Sequence, residues 1–327
     1  MGGETFLVTG STGCIGSWVL RNLVRQGVRT LAGHTSSDFH RPGHLLSPEE
    51  MGRVKFVRFD IGRPEPLFEL IEKEGVTRII HLAGLQVPFC KADPGRGAWV
   101  NVLGMVNVLE AVRKFSGQIK GFSYASSVAV LGPEERYPQR PVPDQAQLWP
   151  ETIYGAYKMA DEHLARIFWQ DWQVPSLGLR PAISYGVGRD QGLTSDISKA
   201  ILAAAVGRPF NINFSGLVSL QYNDDLAKIF IAAALSGHQG APACNLRNDV
   251  LRVSEFVDLL RKLSPTGAAI TYSPDSPLPF PFDLDDAGIR SILGRVDHTP
   301  LETAVSESLA LYARLAQEGE IDLKQID

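Results

Sequence analysis

The chain alternates short apolar runs with longer segments in which apolar residues recur at helical spacing. A further helix is predicted to begin near Pro150 and Glu151, because a proline and an acid suit a first helical turn. The alternation is typical of a parallel sheet covered by helices on both faces, so the sequence predicts a doubly wound α/β fold. The strand-type runs lie at 6–9, 29–34, 54–59, 78–82 and 121–125, and the helix-type segments lie at 17–24, 66–73 and 98–114.

The alternation weakens after Arg180, which suggests a second, smaller lobe. A proline-rich stretch at 273–282 predicts a loop that either links the lobes or covers a site. The helical run from Leu226 to Leu235 suggests that the chain returns to the sheet there. We therefore expect a sheet domain at 1–180 with about 219–247, and a C-terminal lobe built from 184–218 and 248–327.

Composition favours small-molecule chemistry. The chain has 327 residues, 44% of them hydrophobic, a net charge of -4 and no long run of Lys and Arg, so neither a nucleic-acid nor a membrane partner is expected. Its three cysteines, Cys14, Cys90 and Cys244, are odd in number and widely spaced, which indicates reduced thiols rather than disulfides or a metal site. With no signal peptide before Phe6 and no apolar run of roughly 20 residues, a cytoplasmic protein is expected.

A glycine-rich turn follows the first predicted strand and leads into the first predicted helix. Glycines at this junction permit a tight turn and let the backbone approach a pyrophosphate, whose charge the first helical amides would receive. The order of strand, turn and helix is the fingerprint of dinucleotide binding. The expected contacts are Gly10, Thr12, Gly13, Cys14, Ile15 and Gly16.

The second predicted strand ends at His34, at the position where NAD-binding proteins of this fold carry a carboxylate that hydrogen-bonds to the adenosine ribose. A carboxylate would repel a 2'-phosphate, whereas an imidazole, the following hydroxyls and Arg41 could bind one. The sequence therefore favours NADP over NAD. A solvated polar loop without contact to the cofactor would explain the same residues and leaves NAD open.

Tyr154 and Lys158 are four residues apart, so they share one face of the predicted helix. A fixed positive charge close to a phenol favours the phenolate, which suits Tyr154 as a general acid and base. On their own, the two residues would be equally typical of an ordinary amphipathic helix.

Taken in order, several segments resemble the extended short-chain dehydrogenase/reductase family, in its epimerase/dehydratase branch. The resemblance covers about the first 235 residues. Its segments are the turn Gly10–Gly16, Asp60-Ile61, His81 to Gly84, Trp99 to Gly104, Ser126-Ser127 five residues before Gly132, the Tyr154/Lys158 pair, and Arg180-Pro181 with Gly186.

The resemblance implies roles for residues that spacing alone does not assign. Tyr154 would exchange a proton with the substrate oxygen, Lys158 would hold the nicotinamide ribose, and Ser127, rather than Ser126, would polarise the carbonyl. Asn101 would either tie its helix into the active site or be a surface amide. A homodimer packed through the segments 98–114 and 151–172 is also implied. The remaining cofactor contacts would be Asp60 and Ile61 at the adenine, Leu82, Ala83 and Gly84 along the groove, and Pro181 to Ile183 at the carboxamide.

Two departures from the family pattern bear on the substrate. Ile183 and Val218 stand where many nucleotide-sugar epimerases carry an asparagine and a diphosphate-binding arginine. Apolar side chains cannot replace hydrogen-bond donors to a diphosphate, so UDP-sugars are not expected. The candidates are then sugar acids, lactones, aldoses or hydroxyketones. Their predicted contacts are Gln86, Ser127, Thr194 and Tyr222, with Arg189 either meeting a substrate carboxylate or lying in a surface loop.

Three functions are compatible with these residues. The favoured one is an oxidoreductase with net hydride transfer between free NADP or NAD and a small hydroxy or carbonyl compound. The alternative is a sugar epimerase or dehydratase that keeps its cofactor bound and regenerates it in each cycle. A nicotinamide-binding regulator without chemistry is the third, although Ser127, Tyr154 and Lys158 are all present.

Overall fold

The computed structural model describes residues 3–327 and has a seven-stranded parallel sheet at its centre. Its strands are β1 (Thr5–Thr9), β2 (Arg29–His34), β3 (Val54–Arg58), β4 (Arg78–His81), β5 (Gly121–Ala125) and β6 (Leu177–Arg180), with a seventh strand from Ala243–Asn245. They run in the order β3-β2-β1-β4-β5-β6 followed by Ala243–Asn245. The doubly wound α/β fold predicted from the sequence is confirmed.

Further strands form two small sheets. β7 (Ile183–Tyr185), β9 (Leu217–Tyr222) and β11 (Asp249–Arg252) make a three-stranded sheet, in which β9 is central. β8 (Phe210–Ile212) pairs in parallel with β12 (Ile270–Tyr272). The strand Ala243–Asn245 is β10 in chain order, and it extends the large sheet beside β6. The division into a sheet domain and a substrate lobe stays a prediction.

Helices cover both faces of the large sheet. The first half contains α1 (Cys14–Arg25), α2 (His40–Leu45), α3 (Pro48–Gly52), α4 (Pro64–Glu74), α5 (Val87–Ala92), α6 (Pro94–Ala98), a π-helical turn (Trp99–Leu103) and α7 (Gly104–Lys114). The second half contains α8 (Ile153–Trp172), α9 (Asp196–Val206), α10 (Asn223–Leu235), α11 (Val253–Leu263), α12 (Ala287–Leu293) and α13 (Leu301–Gln317). Short 3₁₀ turns lie at Val128–Val130, Glu134–Arg136 and Leu323–Ile326.

Helix α8 begins at Ile153, later than the predicted start near Pro150 and Glu151, which was wrong. The reason is the residue before it: the hydroxyl of Thr152 accepts a hydrogen bond from the amide of Gly155 at 3.0 Å and so caps the helix. This start places Tyr154 in the first turn. No helix among the described residues is both long and apolar enough to cross a membrane.

Glu4 anchors the first strand to the neighbouring one. Its carboxylate makes a two-pronged ion pair with Arg78, at 2.9 and 3.1 Å, and accepts a hydrogen bond from the hydroxyl of Thr77. The hydrogen bond from Arg78 is the main cause that lowers the pKa of Glu4 to about 2.

Replacing Glu4 by Gln should lower the free energy of unfolding by about 2 kcal/mol at neutral pH. Because the pKa of Glu4 is depressed in the folded state, its contribution is present above the unfolded value of 4.5 and is lost as the pH falls towards 2. Urea unfolding of the wild type and of Glu4→Gln should therefore converge at acidic pH. Glu72→Gln, on the exposed side of α4, is the control; a difference between Glu4→Gln and wild type that does not change with pH would contradict the assignment.

Candidate active site

A continuous cleft runs along the carboxyl ends of the sheet strands. Two adjoining cavities of about 240 and 230 Å³ form it, and both are lined by the glycine turn after β1 and by Leu82 and Gly84 after β4. Such a position, at the carboxyl edge of a doubly wound sheet, is where this fold binds nucleotides. We call the cavity of about 230 Å³ the adenosine side of the cleft, because the residues predicted to contact the adenosine line it. We call the cavity of about 240 Å³ the reaction side, because Ser127, Tyr154 and Lys158 line it.

The glycine turn fits a dinucleotide. A Cβ on Gly10 would lie 2.6 Å from the backbone of Leu82 and Ala83, and one on Gly16 would lie 2.4 Å from the carbonyl of Gly10. Side chains at either position would therefore block this close approach. Helix α1 has Gly13 as its N-cap with no side-chain cap and no acid in its first turn, so its first amides can receive a pyrophosphate.

On the reaction side, the first turn of α8 meets the segment after β5. A Cβ on Gly155 would lie 2.1 Å from the carbonyl of Ala129, so only glycine lets the helix approach this closely. As a result Ser127, Tyr154 and Lys158 line the same cavity. The hydroxyl of Ser126 donates a hydrogen bond to the buried Glu162. The hydroxyl of Ser127 instead accepts a hydrogen bond from the amide of Ala129 at 3.2 Å, which leaves its proton to be donated to a substrate.

Lys158 is buried beside the cleft, and its ammonium donates to Asp161 at 3.1 Å. Burial alone would lower the pKa of Lys158, but the charges of Asp161 and Tyr154 outweigh it and raise that pKa. The ammonium is therefore retained at neutral pH. It lies 3.7 Å from where a Cβ of Gly84 would be, which places it against the cofactor groove.

His81 and Asn101 support the groove from behind. Burial, followed by the charge of Lys158, lowers the pKa of His81 to about 3, so this histidine stays neutral; its Nδ1 lies 2.6 Å from the hydroxyl of Thr9. Asn101 is fully buried rather than on the helix surface. Its amide exchanges two hydrogen bonds with the backbone of Leu85, at 2.7 and 3.0 Å, and so fixes the segment after Gly84.

The sequence-predicted cofactor residues lie along the cleft, except Asn101, which backs it. The reaction side brings together Gly10, Gly13, Cys14, Ile15, Gly16, Leu82, Gly84, Tyr154, Lys158, Pro181 and Ile183. The adenosine side brings together Thr12, His34, Asp60, Ile61 and Ala83. Asp60 already accepts hydrogen bonds from Trp99 and Arg96, which close that end.

The four predicted substrate residues do not all reach the cleft. Gln86, Ser127 and Thr194 line the reaction side. The prediction for Tyr222 was wrong: its ring packs edge-on against Trp18 at 5.4 Å, and its hydroxyl donates to Glu307 at 3.2 Å. The position of Tyr222 in the sequence, just before Asp224, does not reveal that its ring is buried in the core.

Sequence reasoning missed part of the reaction side. Phe280 and Phe282, from the proline-rich stretch, cover it, and two aromatic residues among prolines were the available signal. Arg189, for which the sequence left a substrate contact and a surface loop both open, also lines this cavity and donates to Thr194 at 3.2 Å. Its Nε is buried without a hydrogen-bond partner among residues 3–327, as is Oε1 of Gln86. The reaction side therefore presents a cation, Arg189, which suits an anionic group, and an amide oxygen, Oε1 of Gln86, which suits a hydrogen-bond donor.

Comparison with known proteins finds sugar epimerases among the sequence relatives, and both sugar epimerases and L-threonine dehydrogenases among the solved structures. The chain is 26% identical to UDP-glucose 4-epimerase of Mycolicibacterium smegmatis over 95% of this chain and 99% of that protein. It is 28% identical to UDP-glucuronate 4-epimerase 4 of Arabidopsis thaliana over 71% of this chain, but over only about half (54%) of that longer protein. A solved UDP-glucose 4-epimerase of Thermotoga maritima, with UDP-glucose, superposes with a TM-score of 0.81 at 20% identity, over 96% of this chain and 100% of that one.

These findings correct the favoured functional prediction. Net hydride transfer to a free small substrate, with UDP-sugars excluded, was wrong, because the relatives are UDP-sugar 4-epimerases, one of them matched along almost its whole length. The exclusion assumed that a diphosphate could be bound only at the positions of Ile183 and Val218. Arg189 shows that this chain carries a cation elsewhere in the same cleft.

The family itself is shown by a family model. The model of the NAD dependent epimerase/dehydratase family matches residues 6–246, which contain the glycine turn, Ser127, Tyr154 and Lys158. The protein is therefore an NAD(H)-dependent enzyme with a Rossmann-type sheet that acts on a small molecule. The chain belongs to the NAD dependent epimerase/dehydratase family.

Proposed function

We propose that the protein is an epimerase of nucleoside-diphosphate sugars that keeps NAD bound throughout its cycle. The observation that carries the proposal is the placement of Ser127, Tyr154 and Lys158 around one cavity that also presents the partly unpaired Arg189. The full-length match to a UDP-glucose 4-epimerase supports the same substrate class.

The residues of the chain divide the chemistry between them. The bound nicotinamide supplies hydride acceptance and hydride return at one sugar carbon. Tyr154 takes the proton of the reacting hydroxyl and gives it back, and the ammonium of Lys158 lies against the cofactor groove, where it can hold the nicotinamide ribose. Ser127 donates a hydrogen bond to the reacting oxygen. Arg189 offers a charge-assisted hydrogen bond to the diphosphate.

Epimerisation is favoured over dehydration by what lines the reaction side. Elimination of water needs an acid and a base in addition to the group that serves hydride transfer. The described residues that line this cavity include no Asp, Glu or His. Tyr154, with Lys158 beside it, then provides a single proton transfer, and epimerisation needs no more than that.

The proposed cofactor is NAD rather than NADP. The sequence interpretation relied on His34 and Arg41 to bind a 2'-phosphate. His34 instead packs edge-on between Phe39 and Phe56, with Nδ1 2.8 Å from the carbonyl of Ser36. Arg41 is paired with Asp190. Both observations support a cofactor without the extra phosphate.

We also propose a cytoplasmic homodimer. The three cysteines are free thiols, which supports a reducing compartment. Ile167 and Trp172 of α8 are 40% and 47% exposed, and Arg113 of α7 lies over the Trp172 ring at 4.9 Å. Two large exposed apolar side chains on α8, one of them beside α7, support pairing of α7 and α8 with a second copy.

The test is to supply nucleotide sugars without any cofactor. Purified protein incubated with UDP-glucose, UDP-galactose or UDP-glucuronate should form the 4-epimer, detected by chromatography, with no net change in nicotinamide absorbance. Acid denaturation should release NAD in amounts close to the protein concentration. Failure to epimerise any of the three, or turnover only with stoichiometric added NAD, would contradict the proposal.

A further inference from the structure

One carboxylate binds the loop between β7 and α9 to α2, in addition to the hydrogen bond that Trp18 of α1 donates to the carbonyl of Val187 at 2.9 Å. Asp190 accepts hydrogen bonds from Nη2 of Arg41 at 2.6 Å and from its Nε at 3.1 and 3.2 Å. Nε2 of His40 lies 2.8 Å from Oδ2 of Asp190, which is one of the two oxygens that Nε of Arg41 also contacts. Arg41 and His40 are both on α2, about 150 residues away along the chain. We call Asp190, Arg41 and His40 the clasp.

The clasp lies across the glycine turn. A cavity of about 270 Å³ is lined by Gly13 and Cys14 of the turn and by Gly188 and Asp190 of the loop. Nη1 of Arg41 is 3.5 Å from the carbonyl of Thr12, inside the turn itself. The loop that Asp190 holds therefore faces the same cavity as the amides that would receive a pyrophosphate.

Packing and burial make this contact more than a surface ion pair. The side chains of Arg41 and Asp190 are each only 18% exposed. Gly188, with φ of 88°, brings the loop backbone against the aliphatic part of Arg41, since a Cβ there would lie 3.8 Å from three of its carbons. A two-pronged, partly desolvated Arg–carboxylate pair holds one geometry better than an exposed one.

We propose that Asp190 is a positioning residue that retains NAD, because the clasp closes the loop of Gly188 to Gln191 over the pyrophosphate. The inference rests on the proposed function, since an epimerase must keep the same cofactor until the hydride is returned. Opening the loop requires the Asp190 contacts with α2 to break. The clasp therefore acts on the rate of cofactor release, which is measurable without any sugar.

The release rate of NADH tests the clasp directly. Wild-type protein and variants are loaded with NADH and mixed with a large excess of NAD, and the loss of NADH fluorescence is followed in a stopped-flow instrument. Asp190→Asn should release NADH at least about 10-fold faster than wild type, because the amide loses the charge-assisted pairs. Arg41→Lys, which keeps the charge but loses the fork, should give an intermediate rate.

Asp38→Asn is the matched control. Asp38 also faces His40, at 2.7 Å from Nδ1, but it is 62% exposed and lies on the same side of the cleft. The rate at which Asp38→Asn releases NADH should stay within about twofold of the wild-type rate. Equal rates of NADH release from wild type, Asp190→Asn and Arg41→Lys would overturn the proposed role of the clasp. If Asp190→Asn does not fold, the comparison of Arg41→Lys with wild type tests this role on its own. Fast release of NADH from the wild type would contradict the proposed epimerase. The ratio of the NADH release rates of the variants to that of the wild type would still measure the effect of the clasp.

Discussion

Replacing Tyr154 by Phe should lower kcat for epimerisation by a factor of about 100 or more while leaving bound NAD in place. The substitution removes only the hydroxyl, which in the proposed mechanism moves the proton between the sugar oxygen and the protein. The ring would still fill its place beside Ser127, because α8 is held against Ala129 by the close approach at Gly155. The loss should therefore fall on kcat rather than on cofactor content.

Two readouts separate catalysis from folding in this experiment. The rate of 4-epimer formation is measured with the nucleotide sugar on which wild type acts, and the NAD released by denaturation is measured on the same preparation. Tyr157→Phe is the matched control, since Tyr157 lies on the same helix but donates its hydroxyl to the carbonyl of Pro94. Tyr154→Phe with wild-type turnover would remove Tyr154 from the mechanism.

The parts of the site that the sequence predicted are those built by neighbouring residues. The turn from Gly10 to Gly16 works through its own backbone, so its spacing suffices to find it. Tyr154 and Lys158 share a face because of helical periodicity, whatever the rest of the chain does. The parallel sheet likewise follows from local runs in alternation, and its strand order is the usual consequence of right-handed crossovers.

The parts that could not be predicted depend on which distant residues meet. Arg41 was interpreted as a phosphate ligand, but Asp190 neutralises it across the cleft. Tyr222 was interpreted as a substrate contact, but a core position beside Trp18 takes its ring. Apolar residues at Ile183 and Val218 were taken to exclude a diphosphate, although Arg189 approaches the same cleft from another loop. In each case the chemistry of the residue itself was interpreted correctly, but the sequence does not show which distant residues lie next to it in the fold.

A buried ion pair connects helix α8 to the sheet. Arg180, at the end of β6, donates to both oxygens of Glu162 on α8, at 2.8 and 2.7 Å, and both side chains are nearly inaccessible. Arg180 also donates to the carbonyl of Asp144 at 2.9 Å and to Asn245 of β10 at 3.2 Å. The pair thus joins β6, β10 and α8, and it fixes the helix that carries Tyr154.

Arg180→Met should lower the free energy of unfolding by about 3–5 kcal/mol, because it leaves the carboxylate of Glu162 buried without its cation. The double variant Arg180→Met/Glu162→Leu should recover most of that loss, since no uncompensated charge remains. Urea unfolding measures both variants, with Arg166→Met, an exposed arginine of α8 that contacts Gln170, as the control within about 0.5 kcal/mol of wild type. If Arg180→Met unfolds at the same urea concentration as Arg166→Met, the pair does not hold α8 to the sheet. Recovery of stability in the double variant without recovery of turnover would show that the pair also sets the distance between Tyr154 and Ser127.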